Sequence, residues 1–362
     1  MSNLSANIST NTTLGWPPYV HEPHLLRIIR LIFVSLLAIL GLLGNLWVAI
    51  KVSKRRSPLS SYICNLAVAD MGVLALSFPI AIIKEQMPTN WPLGSFFCQY
   101  LYPLTEVFHG ASIWSIAAIA AERYHGMKIR TPSKNNGKRT HVWYILAVIW
   151  FSSFTFTSLP LFFFVKYQKV DQGKFCIVVW PKSMQVVYAV ILSLLWYLLP
   201  LTVVLFTYIY ISSLLRSSTT FHRQSLKHLK HTPLSFRLSA TETRRMKENK
   251  RALKILTPMV LVFTITMLPL NTLRVVLSLR PELTMWKYFL VVYNLSVIAI
   301  TVNSAADPLI YFIVTNNFLP NSFCQVFKWL KCFRDVDTRS QVLQRRKNCM
   351  ETMQLQRFDT RD

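Results

Sequence analysis

Seven long apolar runs restrict the folds that this 362-residue chain can adopt. The first run, from Leu31 to Ile50, contains no charged residue. At a rise of about 1.5 Å per residue, a helix of this length crosses a hydrocarbon core about 30 Å thick. Six similar runs follow, and they start near Leu59, Leu93, Val142, Ser183, Ile255 and Tyr288. Because one soluble core of this size does not bury seven helices that are apolar on all sides, the sequence predicts an all-α membrane protein with a seven-transmembrane-helix bundle.

The basic residues predict how the chain is oriented in the membrane. About three quarters of the 40 Lys and Arg residues follow runs one, three and five or lie in the C-terminal tail. Cytoplasmic loops collect Lys and Arg, so we expect a multi-pass plasma-membrane protein with its N-terminus outside the cell. The net charge of +25 then lies mostly at the inner face, where it suits membrane lipid and acidic cytosolic partners. Because this charge is spread over membrane loops, we expect no nucleic-acid partner.

Short sequence signals at the N-terminus and among the cysteines agree with this orientation. Asn3, Asn7 and Asn11 each begin an Asn-x-Ser/Thr glycan acceptor site. The N-terminus lacks the pattern of a cleavable signal, so we expect the first run to insert as a signal anchor. Of the six cysteines, Cys98 and Cys176 are the two on the predicted outer side, which favours a disulfide between them. That disulfide ties the second outer loop to the top of the third run.

Motifs in six of the runs and at the foot of the third carry a resemblance to a known family. They are Gly44-Asn45, Leu66-Ala67-Val68-Ala69-Asp70, Glu122-Arg123-Tyr124, Trp150, Pro200 with Tyr208, Phe263 with Pro269, and Asp307-Pro308-Leu309-Ile310-Tyr311. With these motifs in this order, the chain from Leu31 to about Cys332 resembles a rhodopsin-like (class A) G-protein-coupled receptor, of the peptide-receptor type. The resemblance implies a ligand site near the outer surface and coupling to a heterotrimeric G protein.

Four ionisable residues fall within the runs, where each costs about 2.5 to 3.5 kcal/mol near the bilayer centre. Asp70, Glu106, Arg274 and Asp307 are therefore expected to face the bundle interior. We predict an allosteric sodium site, and no other cofactor, formed by Asp70, Ser112, Asn303 and Asp307. The alternative is a water-filled hydrogen-bond network in which one of the two acids is protonated. In the resembling family, a cation at this site favours the resting state.

The resemblance also implies the residues that switch the receptor and contact the G protein. Arg123 is expected to meet the G protein once it is released from Glu122, while Met267 stands where the family commonly has tryptophan. The acid that often faces Arg123 from run six is displaced, because Asn249 occupies its position, so we expect some basal activity. The full predicted set is Glu122, Arg123, Tyr124, Tyr208, Phe263, Met267, Pro269, Pro308 and Tyr311.

Motif alignment places the ligand pocket between runs three, five, six and seven. Its predicted wall comprises Thr105, Glu106, His109, Asn271, Arg274, Tyr293 and Val297. Receptors for biogenic amines typically carry Asp at the position of Thr105, so its absence argues against that class. Glu106 either captures a cation or pairs with Arg274 as a structural bridge. Mixed charge on the outer loops favours a peptide ligand, and a small amine or an anionic metabolite is the alternative.

The predicted organisation has four parts. Residues 1–26 form a glycosylated extracellular segment, 27–316 the receptor domain, 317–333 a short amphipathic helix on the membrane surface, and 334–362 a disordered tail. Cys324 and Cys332 are predicted palmitoylation sites or free thiols. The tail is open to phosphorylation by receptor kinases, which recruits arrestin.

Two other function classes are disfavoured by the sequence. A transporter or channel is expected to show repeats, paired broken helices or a ring of like charges, and we find none of these. An enzyme is less favoured still, because the sequence has no metal cluster, nucleophile-base pair or phosphate loop at usable spacing.

Overall fold

The structure is a computed structural model that describes residues 22–55, 57–87, 90–128, 135–170, 173–228 and 257–315. The chain forms two compact units, Met1–Tyr311 and Phe312–Asp362. The described part of the second unit is the end of the last helix. The glycan sites, the predicted helix at 317–333, the tail, Asn249, Cys324 and Cys332 lie outside the described residues, so these predictions stay predictions.

Seven segments of the described chain are long and apolar enough to span a membrane, which confirms the predicted bundle. Spans one to seven are His24–Ser53, Pro58–Gln86, Gly94–Gly126, Thr140–Phe164, Lys182–Ser213, Thr257–Leu279 and Phe289–Ile313. Spans one to four carry many exposed apolar side chains, such as Phe33, Phe151 and Phe163, of which Phe151 is 72% exposed. A lipid solvent stabilises such a surface and water does not, so the chain is a multi-pass membrane protein.

Spans two to five are each divided by a π-helical turn. The turns are Val73–Ser77, Phe97–Leu101, Phe154–Ser158 and Leu194–Leu198. The α-helical pieces around them are Pro58–Gly72, Phe78–Gln86, Gly94–Phe96, Tyr102–Lys128, Asn135–Ser153, Leu159–Phe164, Lys182–Ser193 and Leu199–His228. The last helix is Phe289–Thr315, with Pro308 inside it.

A proline follows each π turn by two residues, and it explains the turn. Pro79, Pro103, Pro160 and Pro200 lack the backbone N–H that an α-helix needs, and their rings clash with the carbonyl four residues earlier. The residue before each proline instead donates its N–H to the carbonyl five residues earlier, as Leu199 does to Leu194. The wider turn keeps the backbone hydrogen-bonded while it makes room for the ring.

A β-hairpin between spans four and five is an element that the sequence analysis did not predict. Strands β1 (Val165–Val170) and β2 (Gly173–Val178) pair antiparallel, with Val165 opposite Val178. The alternation of apolar and polar residues in Val165-Lys166-Tyr167-Gln168 is a short strand pattern that this loop carries in its sequence. We call the end of the bundle that carries this hairpin the hairpin face, and the opposite end, where span three finishes, the Arg123 face.

Span three is the most buried of the spans and forms the centre of the core. Its residues Ile113, Ile116 and Ala120 belong to the same apolar cluster as Phe263 and Met267 of span six. A polar clamp joins three spans, because Asn65 donates to Ser115 Oγ at 2.8 Å and accepts from Trp150 Nε1 at 2.8 Å. Each polar group of this clamp therefore has a partner away from lipid.

We predict that Gly41→Ala destabilises the fold, because spans one and seven approach closely at this glycine. A Cβ at residue 41 would lie 2.8 Å from the Ala305 Cβ and 3.0 Å from its Cα, which is backbone and cannot turn away. Overpacking of this kind costs about 1 to 3 kcal/mol. Thermal unfolding of the purified protein in nanodiscs should show a melting temperature lower by several degrees.

Gly126→Ala is the matched control, since nothing lies within 4 Å of the added Cβ. The gain in helix propensity is then unopposed, so its melting temperature should stay level or rise. Equal melting of the two variants would contradict the close packing of spans one and seven.

Candidate ligand cavity and switch region

A cavity lies between spans three, four, five and six. Its wall consists of Glu106, His109, Ile113, Thr157, Leu192, Trp196, Asn271 and Arg274. The structure thus brings together four residues of the predicted pocket, namely Glu106, His109, Asn271 and Arg274. The sequence analysis missed the contributions of Ile113, Thr157, Leu192 and Trp196.

The other three predicted pocket residues lie off this wall. Thr105 is buried, and its hydroxyl donates to the backbone carbonyl of Tyr102 at 2.7 Å. Val297 is also buried. Tyr293 is half-buried, stacks on Phe289 and lies within electrostatic range of Glu106.

The two charges of the cavity are not paired with each other. In the part of the chain that the structure describes, no ion pair within 4.0 Å involves Glu106 or Arg274. Both lie within electrostatic range of Tyr102, His109 and Tyr188. The structure therefore does not support the interpretation that Glu106 and Arg274 form a structural bridge. The Glu106 carboxylate and the Arg274 guanidinium are therefore both available to a ligand.

Two buried polar atoms of the wall also lack a hydrogen-bond partner among the described residues. They are the Asn271 Oδ1, an acceptor, and the Trp196 Nε1, a donor. The amide nitrogen of Asn271 does have a partner, because Nδ2 donates to the backbone carbonyl of Met267 at 2.8 Å. Buried polar atoms are normally paired, so these atoms mark where a ligand or a water has to supply partners.

The β-hairpin is fixed by covalent and aromatic contacts. The predicted disulfide is present and joins Cys98 of span three to Cys176 of β2. The rings of Phe164 and Trp180 stack at 4.2 Å, and Trp180 stacks in turn on Tyr188 at 4.7 Å. The Tyr188 hydroxyl donates to the carbonyl of Thr157, a residue of the cavity wall, at 2.7 Å. Hairpin and cavity are therefore one connected structure.

Two buried acids adjoin each other at mid-depth in spans two and seven. Ser112 Oγ donates to Asp70 Oδ1 at 2.7 Å, and Asp307 lies within electrostatic range of Asp70. The Oδ2 atoms of both acids are buried without a partner among the described residues. Asn303, the fourth predicted residue of the sodium site, is buried with its Oδ1 3.2 Å from the Thr266 hydroxyl.

The oxygen atoms around this acid pair suit a hard cation. All its candidate ligands are oxygen atoms, which alkali and alkaline-earth cations prefer, and a cation would relieve the repulsion of two adjacent carboxylates. Within the described residues no cluster of three or more His, Cys, Asp or Glu side chains forms a metal site.

A second cavity extends from Asp307 of the acid pair to Arg123. It is lined by Asn45, Val48, Leu59, Ile63, Leu66, Ala67, Ile119, Arg123, Met259, Asp307, Pro308 and Tyr311. The structure thus places Arg123, Pro308 and Tyr311 of the predicted switch around one space. Two other switch residues, Phe263 and Met267, are almost wholly buried above it.

The remaining switch residues lie around this region. Tyr124 packs edge-on against Tyr210 at 4.7 Å. Glu122 lies within electrostatic range of Tyr62. Tyr208 and Pro269 are half-buried on spans five and six.

A seven-span bundle with a polar cavity between its spans and an arginine-lined cavity toward the opposite end is the architecture of a membrane receptor. The family model described as 7 transmembrane receptor (rhodopsin family) matches residues 44–311. The chain belongs to this family, and it is a receptor of the rhodopsin type, not an enzyme.

Several characterised receptors are similar to the chain over most of its length. It is 25% identical to a QRFP-like peptide receptor of Branchiostoma floridae, over 85% of this chain and 80% of the relative. It is 25% identical to the neuromedin-K receptor of Cavia porcellus, over 86% and 68%. It is also 25% identical to the neuropeptide Y receptor type 6 of Mus musculus, over 87% and 85%.

We predict that removing the disulfide by Cys98→Ala together with Cys176→Ala loosens the hairpin and lowers stability. The bond closes a loop with a sequence separation of 78. In the chain-entropy model, a loop of this size contributes about 4 kcal/mol. Thermal unfolding in nanodiscs should show a clearly lower melting temperature, whereas Cys64→Ala, which removes a free thiol, should not. If the double variant and Cys64→Ala melt at the same temperature, the hairpin is held by its aromatic stack alone.

Proposed function

We propose that the protein is a plasma-membrane receptor that binds an extracellular peptide and activates a heterotrimeric G protein. The observation that carries this proposal is the cavity between spans three to six, where Glu106 and Arg274 offer opposite charges that no ion pair among the described residues neutralises. Peptides carry both signs of charge together with backbone donors and acceptors. The names of the similar receptors support the same ligand class.

The hairpin face is the extracellular side in this proposal. The three predicted glycan sites precede span one, and the disulfide at this face suits an oxidising compartment. In the sequence, most Lys and Arg residues follow spans one, three, five and seven, which is the pattern of cytoplasmic segments. A ligand then enters beneath the hairpin, and the Arg123 face meets the G protein.

Ligand binding is linked to the Arg123 face through span six. Asn271 lines the cavity and holds the backbone of Met267 by a hydrogen bond, and Met267 packs in one core with Phe263. A ligand group that engages Asn271 or Arg274 therefore acts on the segment that packs above the second cavity. The ligand shifts the receptor population from the resting to the active state only as far as it binds the active state more tightly than the resting state. A shift from 1:99 to 99:1 needs about 5.5 kcal/mol of such preference.

We predict that Arg123→Ala abolishes G-protein activation while ligand binding persists. Arg123 lines the cavity at the face proposed for the G protein, and a guanidinium offers several donors to a protein chain that binds there. The measurement is G-protein dissociation in transfected cells exposed to a peptide library and, separately, to a library of small amines and anionic metabolites. Lys51→Ala is the control, because Lys51 is a cation of the same face that packs over the Trp47 ring.

The responses separate the alternatives. Peptide responses that Arg123→Ala removes and Lys51→Ala preserves support the proposal. Responses to small metabolites alone would replace the peptide with the alternative ligand class. Peptide responses that survive Arg123→Ala would contradict the assigned coupling face.

Sodium is proposed as an allosteric ligand of the acid pair formed by Asp70 and Asp307. The orphaned carboxylate oxygens support this proposal.

Replacing choline chloride with sodium chloride should raise the melting temperature of the wild-type protein, since a ligand at ten times its dissociation constant stabilises by about 1.4 kcal/mol. Asp70→Asn should remove this sodium effect, and Glu106→Gln, which changes an acid outside the pair, should retain it. A sodium effect that survives Asp70→Asn would overturn the assignment.

A further inference from the structure

Lys84, near the hairpin-face end of span two, is a largely enclosed cation without an ionic partner. Its Nζ lies 3.4 Å from the centre of the Tyr102 ring, and its side chain is only partly exposed. Among the described residues it forms no ion pair and no hydrogen bond. The ring face attracts the ammonium group but does not neutralise its charge.

The acid next to Lys84 in the sequence is held elsewhere. Glu85 receives Arg30 through both carboxylate oxygens, one of them 3.1 Å from Arg30 Nη1, and it also accepts from Gln86 at 2.9 Å. Arg30 further contacts Glu22 at 3.0 Å. Adjacent residues on a helix do not face the same direction, so this network between spans one and two keeps Glu85 away from Lys84.

Lys84 does not line the ligand cavity, but it lies close to the charges of the cavity wall. It lies within range of Glu106, and Tyr102 beneath it lies within range of both Glu106 and Arg274. Lys84, Arg274 and Glu106 together have a net charge of +1. An enclosed charge that lacks a partner is costly, and one negative charge on a ligand would balance this group.

We propose that Lys84 and Tyr102 form an anion subsite at the cavity that takes one carboxylate of the peptide ligand. The inference rests on the proposed peptide function and specifies the chemistry of the ligand. The carboxylate pairs with the Lys84 ammonium on the side away from the Tyr102 ring. It comes from the free C-terminus or from an Asp or Glu side chain, and the experiment separates these sources.

The test is an affinity selection of synthetic peptides on full-length receptor in nanodiscs. Each peptide is made with a free or an amidated C-terminus, and each Asp or Glu has an Asn or Gln counterpart. The receptors are wild type, Lys84→Met, Lys84→Arg and Lys287→Met. Lys287→Met is the matched control, because Lys287 also lies over a tyrosine, Tyr288, but is exposed at the start of span seven.

We expect carboxylate-bearing peptides to bind wild-type, Lys84→Arg and Lys287→Met receptor with affinities within a few-fold of one another. Lys84→Met should bind them at least tenfold more weakly and bind their neutral counterparts unchanged. The neutral counterparts then identify the source of the carboxylate on wild-type receptor. Loss of affinity on amidation assigns the free C-terminus, and loss of affinity on the Asn or Gln exchange assigns the side chain.

Two results would overturn the inference. Equal binding of carboxylate and neutral peptides to Lys84→Met and wild type alike would refute the subsite but leave the peptide function intact. Enrichment of no peptide on any of the four receptors, each folded as shown by thermal unfolding, would refute the peptide function and the subsite with it.

Discussion

The structure depends on one constraint, which is that backbone N–H and C=O groups in hydrocarbon must find hydrogen-bond partners within the protein. Helices meet this constraint, and prolines disturb it. Each of Pro79, Pro103, Pro160 and Pro200 is accommodated by a π turn that moves one hydrogen bond to the carbonyl five residues back. Functional geometry follows, because Cys98, Thr157 and Trp196 all lie within these turns. The prolines therefore help to position both the disulfide and the cavity wall.

Charged side chains in the bundle also need partners, but only some of them have one among the described residues. Arg30, Glu22 and Glu85 satisfy one another at the hairpin face. Glu106, Arg274 and Lys84 have no such ion pairs within the described residues, although each costs free energy in a poorly solvated position. The fold is able to pair charges of this kind, as the Arg30 network shows. Their unpaired state at the cavity is thus better explained by ligand binding than by stability.

The sequence predicted the features that depend on local pattern. The apolar runs gave the seven spans, and the family motifs gave four residues of the cavity wall. Thr157 was missed because the motif alignment placed no pocket residue on span four. Thr157 and Trp196 both lie in π turns, which no motif in the sequence signals. The contact of Arg30 with Glu85 joins residues 55 positions apart, and no local pattern reports such a pairing. The hairpin is a feature with a local pattern that the sequence analysis nevertheless missed. Its short alternation of apolar and polar residues was visible, but the segment was treated as a charged loop.

The core around Met267 indicates how a receptor without a tryptophan at this position can still connect its two faces. Met267 is fully buried, its carbonyl is bound by the cavity residue Asn271, and its side chain belongs to the same cluster as Phe263. A methionine side chain is flexible and packs in several rotamers, so it transmits a displacement by repacking and not by the swing of a rigid ring. In the proposed function, discrimination between the states then falls on the charged cavity, where Glu106 and Arg274 are the groups that a ligand would pair with.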